Sequence, residues 1–209
     1  MGRMIAIVGN AGVGKTTLSR RLAEHRGKTQ ALEGHGERPF QQACQTDPHR
    51  CAFANQIDYL LYRAEQETNL RALSQEAVVD GGRDLDFHGF TRLFREKGFL
   101  SAAESDACER LYHRLRAHLP APEVIIHLRA PLSVVERRHA ARARPLEIAG
   151  LQDLPFLERW IESWLAVEPP PKVLRLDASR DDPTYQTELV PLDEALGPPA
   201  PSPARIGVA

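Results

Sequence analysis

The sequence predicts an α/β fold, a five-stranded parallel sheet flanked by helices, and three observations carry that expectation. Five short apolar runs, Met4 to Val8, Gln30 to Leu32, Ala77 to Asp80, Val124 to Leu128 and Val173 to Leu176, alternate with helical patterns, as strands joined by crossover helices do. The first run is apolar at every position, the signature of a strand buried on both faces. A glycine-rich stretch follows it directly and opens onto a helical pattern in which Leu18, Leu22 and His25 recur between Arg20, Arg21 and Glu24.

That stretch, Gly9-Asn10-Ala11-Gly12-Val13-Gly14-Lys15-Thr16-Thr17, has the spacing G-x-x-x-x-G-K-[ST]. Gly9, Gly12 and Gly14 let the backbone turn so that successive N–H groups converge on phosphate oxygens at a helix N-terminus. Lys15 then reaches the β- and γ-phosphates, and the Thr16 hydroxyl stands where it ligates the Mg²⁺ of a nucleoside triphosphate such as ATP. Thr17 lies one position further along the helix. In an open parallel sheet the ligand lies beyond the strand C-termini, so Gly9, Glu33, Asp80 and the residues after Leu128 and Leu176 are expected to converge.

Between these strands the pattern predicts one long helix from about Pro48 to Leu73, another beginning near Asp84, and a third over roughly Ala102 to His118, after which Pro120 and Pro122 break the chain. Trp160 and Trp164, four apart, read as a packed helix stripe. From Pro191 the composition turns Pro-rich, so residues 1–190 are expected to form one domain and residues 191–209 a mobile tail.

With 209 residues, 42% of them apolar, the chain can bury one sizeable core. Its net charge of −1 argues against a nucleic-acid or membrane surface as partner and for a small one. Cys44, Cys51 and Cys108 lack metal-ligand or redox spacing, which suits a reducing compartment and ordinary thiols. The histidines, His35 and His88 among them, show no metal-ligand pairing in the sequence and read as structural or solvated. Because Gly9 ends the first apolar run after five residues, the N-terminus reads as neither signal peptide nor membrane span, and a cytoplasmic location is expected.

A phosphate loop alone leaves GTPases, motor ATPases and small kinases open. The chain has no Asn-Lys-x-Asp guanine reader, and its third apolar run ends Val78-Val79-Asp80-Gly81 without the Asp-Glu of large ATPases. A small kinase fits best. More specifically, Asp47-Pro48-His49-Arg50-Cys51-Ala52-Phe53-Ala54-Asn55-Gln56 followed by Arg63 resembles the signature helix of the deoxynucleoside kinase family, Asp-Pro-x-Arg-Trp-x-Phe-x-x-Gln with an Arg seven residues later. Leu32-Glu33 followed by Glu37-Arg38-Pro39-Phe40 resembles a stretch of its bacterial members, and Arg138-x-x-x-Arg142-x-Arg144-x-x-Glu147 resembles its arginine lid. The likeness runs over roughly residues 4 to 166.

This resemblance implies a P-loop kinase with an arginine-rich lid that uses ATP and Mg²⁺ to phosphorylate the 5′-hydroxyl of a deoxynucleoside, with purines suggested by the bacterial members. It implies that Gln56, Arg63 and Asp86 read the nucleobase, that Glu33 is the base, and that Arg138, Arg142 and Arg144 stabilise the transferring phosphoryl group. It further implies that Asp80 joins Thr16 at Mg²⁺ and that Glu147 bonds the sugar 3′-hydroxyl. It also implies a homodimer, or pairing with a related subunit, through helices whose apolar faces near Leu93, Leu100 and Leu111 are candidates. The residues by themselves say less. Gln56 and Arg63 lie two turns, about 10 Å, apart on one helix face with Tyr59, which also fits a solvated face; Glu33 and its competitor Glu37 also fit surface carboxylates.

The likeness breaks after the third strand. Where the family carries Asp-Arg-Ser or Glu-Arg-Ser this chain has Asp80-Gly81-Gly82, and Arg83 replaces the lost guanidinium only if the glycine pair bends the backbone. Gln45 stands in place of a family Tyr and Cys51 in place of the Trp. A kinase of another nucleoside, nucleotide or small hydroxyl compound, and a weakly active nucleotide-binding partner subunit, are the alternatives.

Overall fold

A computed structural model describes residues 2–31, 38–73, 75–142, 149–167 and 172–198. At its centre lie five parallel strands, β1 (Met4–Val8), β2 (Thr29–Ala31), β3 (Ala77–Asp80), β4 (Val124–Arg129) and β5 (Val173–Asp177), in the order β2-β3-β1-β4-β5. Each expected apolar run is a strand; Leu32, the expected end of the second, lies outside the described residues. Register aligns Ile7 with Asp80, Val8 with His127 and Arg129 with Asp177. The segments after β1, β3, β4 and β5 therefore leave the sheet from one edge.

The helices are α1 (Lys15–Arg26), α2 (Gln41–Thr46), α3 (Pro48–Ala72), α4 (Arg83–Leu85), α5 (Arg92–Glu96), α6 (Ala102–His118), α7 (Leu132–Arg142), α8 (Leu154–Val167) and α9 (Gln186–Leu196). Helix α3 starts where the sequence says it should. Pro48 occupies its first turn and the Asp47 carboxylate accepts the Arg50 N–H. Helix α6 opens on a reciprocal Ser101–Glu104 capping box. Between α4 and α5 the chain winds as a π-helical turn, Asp86–Thr91, which pattern reading did not anticipate.

Strand β1 is buried throughout, because its two faces meet different clusters. Ile5 and Ile7 pack with Val78, Ile126, Leu18 and Leu22, whereas Ala6 and Val8 pack with Leu85, Ile125, Ile161 and Trp164. Trp164 thus belongs to the core as expected. The leucines proposed for subunit pairing do not form a free face: Leu93 and Leu100 are fully buried inside the chain, and Leu111 packs half-buried against the cluster around Leu60 and Tyr112. Among the described residues no helix is long and apolar enough to cross a membrane.

The expected tail begins too early. Instead of ending at residue 190, the folded chain continues through α9, with Pro191 inside it and Leu192 and Leu196 buried against the α1 side of the sheet. Two buried leucines, at about 1.5–3 kcal/mol each, offset an interior proline cost of about 3 kcal/mol. Arg3 and Arg26 then bind the end of the helix, donating to the Leu196 and Gly197 carbonyls at 2.7 and 3.0 Å. Residues 199–209 lie outside the described residues. Leu192→Ala is expected to lower unfolding free energy by about 2–5 kcal/mol, the usual range for a buried Leu truncation. An unchanged denaturant midpoint would show that α9 is not docked.

Candidate active site

The edge where the strands end is organised by the loop between β1 and α1. Two of its glycines are sterically required. Gly9 has φ 151° and a Cβ there would stand 2.5 Å from the Leu128 carbonyl oxygen; Gly14 has φ 113° and its Cβ would stand 2.7 Å from the Tyr185 hydroxyl. Lys15 Nζ spans the loop by donating to the Gly9 and Asn10 carbonyls at 3.0 and 2.8 Å. The Asn10 side chain both accepts from the Ala11 N–H and donates to the Leu154 carbonyl and Glu158 of α8. The loop is therefore held open in shape before any phosphate reaches it.

In front of the loop is a cavity of about 340 Å³. Gly12 to Thr17 form its floor, Arg138 and Arg142 of α7 one wall, and the Arg180–Pro183 segment with Tyr185 the other. Arg138 ties the three together: its guanidinium donates to the Val13, Ala178 and Arg180 carbonyls and to the Asp181 carboxylate. Arg137 also reaches Asp181, at 2.5 Å, and the Arg138 bond holds that carboxyl below its usual range. The expected lid arginines 138 and 142 are thus at the loop; Arg144 and Glu147 lie outside the described residues. Helix geometry leaves the first N–H groups of α1 without intrahelical acceptors, and the positive end of its dipole faces the cavity.

Thr16 lines the same space, and Asp80 sits fully buried at the C-terminal end of β3, one strand away. A hydroxyl and a carboxylate are hard oxygen donors of the kind Mg²⁺ takes, and a glycine-shaped cradle beside them has room for phosphates, so these residues fit a Mg²⁺–triphosphate. Glu33 and its competitor Glu37 lie outside the described residues.

Gln56, Arg63 and Asp86 come together as expected. Arg63 Nε donates to Asp86 Oδ2 at 2.8 Å, and Gln56 Nε2 donates to the Thr91 hydroxyl at 3.0 Å. All three side chains are buried, so the solvated-face reading of α3 is wrong. The π-helical turn presents both Asp86 and Thr91 toward α3, and Thr91 is the member of this group that the sequence did not reveal. No local pattern marks a π turn; only its partners on α3 do.

Arg83 does not take the place of the missing family arginine. The glycine pair does bend the backbone, with φ 76° at Gly81 and 98° at Gly82. Arg83 nevertheless turns to Glu67 of α3, donating at 2.7 Å, and burial together with Arg116 pushes its pKa down. Glu67 also holds Arg71 and Arg116; Arg71 donates further to Glu123 and to the Gly2, Pro120 and Ala121 carbonyls, and Arg116 to Asp84 and the Leu119 and Pro120 carbonyls. That network ties the turn after β3 to α3, α6 and the segments leading into β1 and β4.

The π turn is fastened by His88, whose ring stacks on Trp164 with centroids 4.8 Å apart and meets the Tyr112 hydroxyl at 3.2 Å. Burial pushes its pKa down to about 3, and burial pushes the Cys44 and Cys108 thiols up to about 11, away from thiolate chemistry.

Comparison with known proteins agrees with this geometry. The family model for deoxynucleoside kinases matches residues 5–190. A deoxyadenosine/deoxycytidine kinase of Bacillus subtilis is 26% identical over 147 residues, covering 69% of this chain and 68% of its own. A deoxyguanosine kinase of the same organism is 28% identical over 144 residues, covering 68% of each chain. Among solved structures, deoxyadenosine kinase of M. mycoides with bound dATP superposes with a TM-score of 0.77 at 21% identity, over 92% of this chain and 98% of that one. The same enzyme with dCMP and dCDP gives 0.77 at 22% identity, over 93% and 100%.

A pH dependence follows from His88. Its folded pKa lies below the ordinary 6.5, so the unfolded chain takes up the proton first. The stability it contributes is complete above about pH 6.5 and falls as pH drops toward 3, with a slope of up to ~1.4 kcal/mol per pH unit. His88→Phe, which keeps a ring against Trp164, is expected to flatten the stability profile between about pH 6.5 and 4.5 in denaturant titrations. An unaltered slope would mean that His88 is not held neutral.

Proposed function

Because the chain belongs to the deoxynucleoside kinase family, we propose that it transfers the γ-phosphoryl group of ATP to the 5′-hydroxyl of a deoxynucleoside, with purines preferred. The observation that carries the reading is the buried Arg63–Asp86 pair beside Gln56, at the same sheet edge as the phosphate loop. Many folds cradle a triphosphate; an amide and a forked guanidinium held together two turns apart are what a base edge demands.

The roles then divide by element. Backbone N–H groups of the Gly9–Thr17 loop and Lys15 hold the donor phosphates, and Thr16 with Asp80 hold the Mg²⁺. That ion, when bound, would supply positive charge against the donor phosphates. Gln56 bonds the base, Arg63 and Asp86 fix its orientation, and Glu147 takes the 3′-hydroxyl. Glu33, with Glu37 as the competing carboxylate, accepts the 5′-hydroxyl proton as the oxygen–phosphorus bond forms and the bond to the β-phosphate bridging oxygen breaks, releasing ADP. Arg138, Arg142 and Arg144 stabilise the charge on the transferring group. For Arg138 this requires exchanging Asp181 for phosphate, a trade between two anions that costs little in a solvent-open wall. Since phosphoryl transfer rests on positioning and charge, the arginines contribute more than the base. A cytoplasmic location belongs to the same reading, and pairing of two copies, as the family resemblance implies, uses faces other than Leu93 and Leu100.

A second reading is favoured by Arg83. With Gly81 in the family's arginine position and Arg83 committed to Glu67, the chain is a weakly active nucleotide-binding subunit that depends on a related partner. A panel of nucleosides, nucleoside monophosphates and other hydroxyl acceptors with Mg²⁺–ATP separates the readings. The kinase reading expects highest kcat/KM with a deoxynucleoside; tight binding of it without transfer favours the second. Arg63→Ala is expected to lower deoxynucleoside kcat/KM by about a hundredfold, about 2.7 kcal/mol, while leaving the KM for ATP unchanged. Equal damage to both substrates would place Arg63 in general structure and remove it from base reading.

A further inference from the structure

We propose that His127, Glu158 and Glu162 bind one divalent transition-metal ion of the zinc class, at a site distinct from the Thr16–Asp80 pair. No spacing in the sequence pairs these residues; the fold creates the grouping by laying α8 across the end of β4. His127 is fully buried beside Val8, and neither of its ring nitrogens has a hydrogen-bond partner among the described residues. A buried imidazole with no acceptor or donor is rare, because each unmade bond costs about 1–3 kcal/mol. Glu158 and Glu162, one turn apart on α8, face it, and one ligand atom from each of the three lies within 4.8 Å of the others.

The donor set decides the class of ion. One imidazole nitrogen and two carboxylate oxygens suit Zn²⁺, Co²⁺ or Mn²⁺, whereas Mg²⁺ and Ca²⁺ favour oxygen alone. Metal–ligand bonds of about 2.0–2.2 Å put tetrahedral ligand atoms about 3.3 Å apart. From separations of up to 4.8 Å the glutamates must therefore close by at most about 1.5 Å, within reach of side-chain torsions. An outer-shell partner is already present in Asn10, whose Nδ2 donates to Glu158 Oε2 at 3.0 Å. Through Asn10 the ion sits next to the phosphate loop. Arg129 and Arg175 face the same imidazole and oppose a cation. Arg129 is half-exposed and free to swing into solvent; His127 is not.

The test uses the untagged full chain without nucleotide, in excess Mg²⁺, titrated with Co²⁺ and Zn²⁺ by absorption and equilibrium dialysis. We expect one equivalent bound, with cobalt ligand-field bands and no thiolate charge-transfer absorption, which separates the site from the three cysteines. H127N and E162Q each weaken binding at least about tenfold, and R129A, which removes a competing cation, tightens it. E162Q alters a partly exposed helix position, so it decides the matter even if H127N does not fold. Absence of stoichiometric binding in the wild-type chain, thiolate bands, or unaltered affinity in E162Q would overturn the proposal. None of these readouts depends on kinase turnover.

Discussion

Between β1 and α1 the chain passes through a space that admits no side chain at Gly9, because the Leu128 carbonyl of the neighbouring strand closes it from one side. Close packing of the loop on β4 lets Lys15 and Asn10 span it and puts Arg138 within reach of the Val13 carbonyl. The sheet order then does the rest. With β1 in the middle, β3 delivers Asp80 from one side and β4 delivers the arginine helix from the other. A phosphate cradle, an acidic group and guanidinium groups therefore lie at one end of the sheet without any one segment having to carry them all.

Helix α3 shows how the fold handles charge. Its buried side carries Gln56, Arg63, Glu67 and Arg71, which is costly unless every ion has a partner. The partners divide by height along the helix. Gln56 and Arg63 meet the π turn through Thr91 and Asp86; about one turn past Arg63, Glu67 gathers Arg71, Arg83 and Arg116. The first group is the one we propose to read the base, and the second clamps the helix to the turn after β3 and to the segments leading into β1 and β4. Breaking a buried pair of the second kind by removing one partner typically costs about 3–5 kcal/mol, so that half of α3 reads as scaffold.

Much of this was legible in the residues. The five strands, the phosphate loop, the start of α3 and the full extent of α6 follow from apolar runs, glycine spacing and caps that act within a few residues. What was not legible depends on distant partners. Arg83 looked available because the sequence cannot show that Glu67, sixteen residues earlier, takes its guanidinium. Pro191 looked like the start of a mobile tail, yet burial of Leu192 and Leu196 keeps that stretch folded. Leu93 and Leu100 looked like an outer face because helical spacing does not say which neighbour covers it. Thr91 and the grouping of His127 with two glutamates arise only when a π turn and α8 are folded against other elements.

The central claim is that the base-reading group on α3 and the phosphate loop open onto one continuous site. Calorimetric titration with a deoxyadenosine joined to adenosine through a polyphosphate bridge tests it most directly. A shared site gives one equivalent bound, tighter than either half alone because the second half binds at an effective concentration set by the bridge, with Lys15→Ala and Arg63→Ala each weakening it. Two equivalents bound, or an affinity no better than that of one half and indifferent to Arg63, would contradict the account.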